Sequence, residues 1–275
     1  MIQEAAMIRD PIFAMQGWYP YDRAAAEHEL SLYLKSDRTP TPAVAVIAPH
    51  AGWAYSGRTA GKVYADVVVP ERVAAFCPMH RAGGPPVAVW TSGAWRTPLG
   101  DMAVDEEFTA ALLKRTPLAR EDFPSHLSEH AIEIHLPFIQ ARNAKARLAP
   151  IRLGRLRYED CRELGQAVAE TIRRAKGDTL LLASTDMSHE GDMRIVEEND
   201  RLARERVLAL DAMGLMDVVE ARDITMCGFI AVAVVIEAAL ALGATKATGL
   251  AYATSAEISG RTDYIVGYFG ARLDR

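Results

Sequence analysis

The 275-residue chain is poor in the features that mark several protein classes. It has three cysteines, Cys77, Cys161 and Cys227, widely spaced and with no C-x-x-C pair. A secreted disulfide framework is therefore not expected, and a reducing cytoplasm is the natural setting. There is no run of Lys or Arg, and the formal net charge is -5, so nothing suggests a nucleic-acid footprint. The longest apolar stretch, around Phe229 to Leu242, carries Glu237 and is too short to span a bilayer, so it reads as a buried helix. The opening, MIQEAAMIRDPIFAMQGWYP, lacks the basic-then-apolar order of a secretory leader. No Gly/Ser or Pro-rich linker and no internal repeat divides the chain, and one domain over residues 1–275 is expected.

What is present is core-forming material. Half the residues are hydrophobic, at 50%, and a chain of roughly 300 residues buries about three quarters of its unfolded surface. Short apolar runs alternate with longer amphipathic stretches. The runs are Ala43 to Ile47, Val73 to Phe76, Val87 to Trp90, Thr179 to Ala183, Gly249 to Tyr252 and Tyr264 to Tyr268. Apolar throughout and bounded by Gly, Pro or Asp, they read as strands covered on both faces. Helices are expected over Arg23–Lys35, Asp105–Arg115, Tyr158–Ala175, Glu197–Ala209 and Gly228–Leu242, with Cys161 in the buried stripe of the third. The alternation predicts a single layered α/β domain, its sheet mixed or mostly parallel, with helices on both faces.

Three of the strand-like runs lead into residues that carry chemistry. They are Val44-Ala-Val-Ile-Ala-Pro-His50-Ala-Gly-Trp53, Val73-Ala-Ala-Phe-Cys-Pro-Met-His80 and Leu180-Leu-Leu-Ala-Ser-Thr-Asp186-Met-Ser-His189. In open α/β sheets ligands bind at the carboxyl ends of the strands, so groups far apart in sequence can converge there. Each group also has a structural reading: a histidine hydrogen-bonded in a loop, or an aspartate capping the next helix. Together they suit a transition-metal pocket, since imidazole binds Fe, Cu and Zn. His189, with Asp186 three residues before it, can instead act as an acid, a base or a substrate-positioning group. Cys227, before Gly228 at a helix start, is either a small buried residue or a thiol that the helix N-terminus helps to ionise.

A second cluster is Ser128-Glu-His-Ala-Ile-Glu-Ile-His-Leu-Pro137, in which His130 and Glu133 would share a helical face. It is not the zincin HExxH pattern. Glu129 and His130 are expected to line the pocket, and His135 to be structural. Trp18, Tyr19, Trp53 and Tyr55 read as core packing or, alternatively, as an apolar lip to the pocket.

These motifs resemble the Memo family, whose bacterial and archaeal members are also called AmmeMemoRadiSam system protein B. The resemblance runs from Met15-Gln-Gly-Trp-Tyr-Pro20 through Ala48-Pro-His-Ala-Gly-Trp-Ala-Tyr-Ser-Gly57, Thr97-Pro-Leu-Gly100 and Glu129-His-Ala-Ile-Glu-Ile-His-Leu-Pro-Phe138 to Ser184-Thr-Asp-Met-Ser-His189 and Met226-Cys-Gly228. The family is similar in fold to class III extradiol dioxygenases, which use non-haem iron. The resemblance implies His50, His80 and Cys227 as metal ligands, Asp186 and His189 as catalytic partners and His130 in the substrate pocket. It implies one transition-metal ion, iron or copper before zinc. It leaves open a dioxygenase-like oxidoreductase acting on a small organic molecule, or a non-catalytic metal-binding or peptide-docking adaptor. The family's compound name points to radical-SAM system proteins as partners. Two departures stand out: Cys77-Pro78-Met79-His80 where the family usually has Gly-Pro-x-His, and an altered loop, Arg81-Ala-Gly-Gly-Pro-Pro86, after it. A cysteine in place of the dioxygenases' carboxylate ligand counts against ring cleavage.

Overall fold

The apolar runs do become strands, and the computed structural model describes them within residues 7–275. Residues 1–6, which open the segment read as lacking a leader, lie outside the described residues. The strands are β1 (Ile8–Arg9), β2 (Ala45–Ala48), β3 (Arg72–Pro78), β4 (Val87–Val89), β5 (Ala94–Thr97), β6 (Gly100–Ala103), β7 (Ala119–Glu121), β8 (Arg147–Leu153), β9 (Thr179–Ser184), β10 (His189–Glu190), β11 (Lys246–Thr254) and β12 (Ile265–Asp274). The helices are α1 (Ile12–Met15), α2 (Arg23–Tyr33), α3 (Trp53–Asp66), α4 (Glu106–Leu113), α5 (Pro124–Leu127), α6 (Leu136–Arg142), α7 (Tyr158–Arg174), α8 (Met193–Leu208), α9 (Ala212–Ala221), α10 (Phe229–Ala241) and α11 (Ser255–Ser259).

Among the described residues a nine-stranded sheet runs β10-β12-β2-β9-β3-β8-β4-β7, with β11 also paired to β12, and a small sheet runs β1-β5-β6. The centre is parallel, β2 with β9, β9 with β3 and β3 with β8, while β12 and β4 join antiparallel. The fold is thus the expected layered α/β arrangement with a mixed sheet. Successive strand residues point to opposite faces, and here both faces are dry. Leu180 and Leu182 join Val46, Val73 and Trp53 in one core, under α2, α3 and α6. Leu181 and Ala183 join Ile47, Phe76 and Leu164 in the other, under α7 to α10. A helix apolar all round must be buried; α10 is such a helix, and its Glu237 accepts a hydrogen bond from Tyr158 Oη at 2.9 Å. No described helix is long and apolar enough to cross a membrane.

Several elements lie outside the sequence-based expectation, and two of them, β8 and α3, show why. The strand β8 carries Pro150 and two arginines, which mask it, because proline is normally excluded from central strands. The helix α3 is rich in small and polar residues that blur its period. A Cβ at Gly61 would stand 2.4 Å from the Tyr33 carbonyl oxygen, so this composition reflects close approach to α2 rather than a loop.

Candidate metal centre

Because β2, β9 and β3 are mutually parallel, their carboxyl ends share one edge of the sheet. His50, His80 and Asp186 each follow directly on one of these strands. The segment between α5 and α6 folds across this edge and adds Glu129 and His130. Nitrogens of His50, His80 and His130 come within 4.8 Å of one another, close enough to hold one metal ion. The ring centroids are separated by 5.1 Å (His50 and His80), 5.2 Å (His50 and His130) and 4.5 Å (His80 and His130).

The hydrogen bonds fix which nitrogens are free. Ser184 Oγ donates its only proton to the Ala131 carbonyl, at 2.6 Å. It must therefore accept from both imidazoles that reach it, His50 Nδ1 at 2.7 Å and His135 Nε2 at 2.9 Å. His50 is left with an unprotonated Nε2 facing the cluster. The Glu129 carboxylate can only accept, so His80 Nδ1, at 2.8 Å from Oε1, carries a proton, and Nε2 is the nitrogen left for a metal. Burial would raise the Glu129 carboxyl, but the hydrogen bond and charge of His80 and the charge of His130 hold it at about 2. Burial, reinforced by the neighbouring histidines, pushes His50 well below the usual imidazole range. Burial likewise brings His130 down to about 4 against the pull of Glu129. Both rings are therefore neutral at physiological pH, as metal ligation requires. Donor chemistry, tautomers and ionisation all fit a metal ion.

The start of α10 places Cys227 against this cluster. Its Sγ lies 3.3 Å from His50 Nε2 and accepts the Asp186 backbone N–H at 3.3 Å. The helix docks through the Gly228 N–H, donated to Thr185 Oγ1 at 3.0 Å. A Cβ on Gly228 would fall 2.5 Å from the Ser184 carbonyl oxygen, so the contact needs glycine. Of the two readings of Cys227, an ionised thiol and a small buried residue, the surroundings oppose ionisation in the metal-free site: burial, then the Asp186 carboxylate, push its pKa up. A coordinated metal would reverse this, because ligation deprotonates a thiol.

Asp186 and His189 flank the cluster separately. Asp186 Oδ1 accepts the amides of His50 at 2.7 Å and Ala51 at 3.3 Å, and burial raises its carboxyl to about 6 despite them. His189 is held instead by Thr225, through its backbone N–H to Oγ1 at 2.7 Å and Nδ1 to the carbonyl at 3.0 Å. Asp186 thus anchors the His50 peptide rather than orienting His189.

The helical face expected for His130 and Glu133 does not form. The backbone is irregular at Glu129 and His130 and turns only from Ala131 into a 3-10 turn at Glu133, so His130 joins the cluster while Glu133 binds Arg9. His130, expected to line a substrate pocket, is thereby one of the three clustered donors. Tyr19 and Trp53 are core residues, whereas Tyr55 is exposed and the Trp18 ring lies 4.4 Å from that of His130. Cys77 and Cys161 are fully buried in the two cores. Ser184 carries only a faint signal in the sequence, a hydroxyl closing an otherwise apolar run. A chamber of about 530 Å³, lined by Met79, Leu156, Ile224, Cys227 and the charged Arg155, Glu220 and Asp223, meets the cluster only through Cys227. Another cavity, about 720 Å³, lies by the opposite ends of the strands, around Val44, Asp178 and Arg272.

Fold and site together define a layered α/β protein with a histidine cluster, able to hold one metal ion, at the carboxyl edge of its parallel strands. The chain belongs to the Memo-like family, whose model matches residues 9–272. A MEMO1 family protein of Methanothermobacter thermautotrophicus is 36% identical over 95% of this chain and 99% of its own length. One from Pyrococcus abyssi is 36% identical over 95% and 98%, and one from Methanopyrus kandleri 37% over 81% and 80%.

Proposed function

We propose that this Memo-like protein binds one transition-metal ion on His50, His80 and His130, with Cys227 as an adjacent soft ligand, and acts as a dioxygenase-like oxidoreductase on a small organic substrate. The observation that carries this is the convergence of three imidazoles, two of them with ring nitrogens fixed by Ser184 and Glu129. Imidazoles beside a thiol suit iron or copper, and zinc next. A bound redox metal would supply one-electron chemistry with dioxygen. The chain's own groups do the rest. Glu129 and Ser184 hold the rings in place, and Asp186 holds the His50 peptide. With its Nδ1 proton given to a carbonyl, His189 keeps Nε2 free to take up and release a proton. The chamber beside Cys227 offers a space of mixed apolar and charged lining for the substrate.

A second reading, a non-catalytic metal-binding or peptide-docking protein, is favoured by one observation. The three clustered donors include no carboxylate, unlike the iron site of the dioxygenases. Elemental analysis of anaerobically purified protein, followed by oxygen uptake with catechols, separates the two. Near-stoichiometric metal is expected in the wild type and its loss in His50→Ala and His80→Ala; wild-type metal content in both variants would falsify the ligand assignment. Metal without oxygen uptake on any aromatic diol leaves the second reading standing.

A further inference from the structure

An arginine inside a protein needs a counter-charge, because the guanidinium stays protonated and an uncompensated buried charge is costly. Four arginines among the described residues are almost wholly buried. Arg9 pairs with Glu133 at 2.5 Å, Arg72 with Asp105 at 2.7 Å and Arg272 with Asp66 at 2.8 Å. Arg152, on β8 and 1% exposed, pairs with no described carboxylate. Its Nη1 donates to the Arg81 carbonyl at 3.2 Å and its Nη2 to the Gly83 carbonyl, while Nε has no acceptor.

A second orphan lies beside it. Ser125 Oγ is buried without a partner. A Cβ on Gly84 would stand 3.0 Å from Arg152 Nη2 and 3.2 Å from Ser125 Oγ, so both groups meet at one spot under residues 81–86. Buried polar groups are normally satisfied, and two donors left over at one place call for an acceptor that carries negative charge. The Asp122 carboxylate does not supply it: its Oδ1 accepts the Ser125 N–H at 2.8 Å, and it makes no pair with Arg152. The covering loop is exposed from Arg81 to Gly84 and starts at the residue after His80. Gly83 and Gly84 take φ of +131° and +76°, conformations that favour glycine.

We propose that Arg152 and Ser125 form a recognition site for the carboxylate group of a small organic acid, with the Arg81–Pro86 loop as its cover. One unpaired cation calls for one negative charge, which a carboxylate supplies and a phosphate dianion exceeds. The planar fork of arginine takes both oxygens of a carboxylate, an arrangement that chloride cannot give. One oxygen accepts from Nε and Ser125 Oγ. The other takes the place of the Gly83 carbonyl at Nη2, and the exposed glycine pair lets the loop move aside. Because the guanidinium reaches the backbone next to His80, an acid held here lies beside the histidine cluster. The site uses none of the clustered donors and does not depend on the metal reading. The carboxylate belongs to a short free acid or to a ring-bearing one.

The test uses full-length protein freed of metal by a chelator and dialysed, so that no bound ion competes for the anion. Sodium acetate or sodium benzoate replaces sodium chloride at constant ionic strength. Calorimetric melts and the nitrogen-15 resonance of Arg152 Nε are followed together. In the wild type the midpoint should rise with acid concentration, as for any ligand of the native state, and the Nε resonance should shift in step. Tighter binding of benzoate than of acetate identifies a ring-bearing acid, and equal binding a short one. Arg152→Leu should lose the stabilisation altogether; it removes a buried charge with its need for a partner and should fold. Ser125→Ala keeps the guanidinium and should bind about tenfold more weakly. Should Arg152→Leu not fold, Ser125→Ala and the resonance decide. An Nε resonance unmoved by either acid, or a midpoint rise undiminished in Arg152→Leu or Ser125→Ala, would overturn the site and leave Arg152 a prop for the loop.

Discussion

At the scale of single residues, one hydroxyl does much of the organising. Ser184 Oγ sits between His50 and His135 and spends its proton on the Ala131 carbonyl. Replacing it by alanine leaves two buried imidazole N–H groups without an acceptor. An unsatisfied buried donor costs about 1–3 kcal/mol, so Ser184→Ala should lower the stability of the metal-free protein by an amount of that order. It should also free His50 to take either tautomer, and metal affinity should fall by about 10–100-fold. Urea unfolding with chelator and metal titration measure the two effects separately. An affinity unchanged in a destabilised protein would mean that the serine supports the core and not the ligand.

At the scale of elements, the site depends on where strands stop and one helix starts. Gly228 lets α10 begin against the end of β9, and a Cβ there would meet Ser184 O at 2.5 Å and Thr185 Cβ at 2.5 Å. Gly228→Ala should push the helix start outward and carry Cys227 Sγ away from His50 Nε2. Overpacking of this kind costs about 1–3 kcal/mol. Cobalt-bound protein should lose its sulfur-to-metal charge-transfer band while the imidazole-dominated bands persist, and retention of the full band in the variant would contradict this geometry. The same elements explain what the sequence reveals and conceals. His50, His80 and Asp186 were legible because each follows a strand of unbroken apolar character, and parallel strands put such ends together. Cys227 was legible from its place before an apolar helix, but not its ionisation, which depends on burial and then on the Asp186 carboxylate beside it. His130 as a donor was not legible. It lies in an irregular segment with no periodicity, and its place beside His50 and His80 comes from tertiary packing. β8 was hidden by Pro150 and its arginines, although it completes the centre of the sheet.

At the scale of the whole molecule, burial of histidine away from the His50–His80–His130 cluster couples folding to pH. His126 is fully buried between Trp90 and Trp95, with Nε2 donating to the Ala88 carbonyl at 3.2 Å and Nδ1 without a partner. Burial, then the charges of Arg152 and Arg9, bring its pKa down to about 3, against the bond to Ala88 and the opposing charge of Asp122. His135, equally buried, is also brought to about 3, but it touches Ser184 and so reports on the site as well. The sign follows from which state takes up the proton. Above pH 6.5 the ring is neutral whether folded or unfolded, and it adds no pH dependence. Between 6.5 and about 3 the unfolded chain is protonated while the native ring refuses the proton, so stability falls as the pH falls. For His126 alone the loss should reach roughly 2–3 kcal/mol between pH 6.5 and 4.5. Urea midpoints taken in chelator, to keep metal release out of the measurement, should therefore drop steeply over that range. His126→Gln keeps a donor for Ala88 but cannot titrate, so its midpoints should fall by correspondingly less. Parallel pH profiles for the two proteins would show that His126 is not the coupling group and would move the acid sensitivity to His135 and the histidine cluster itself.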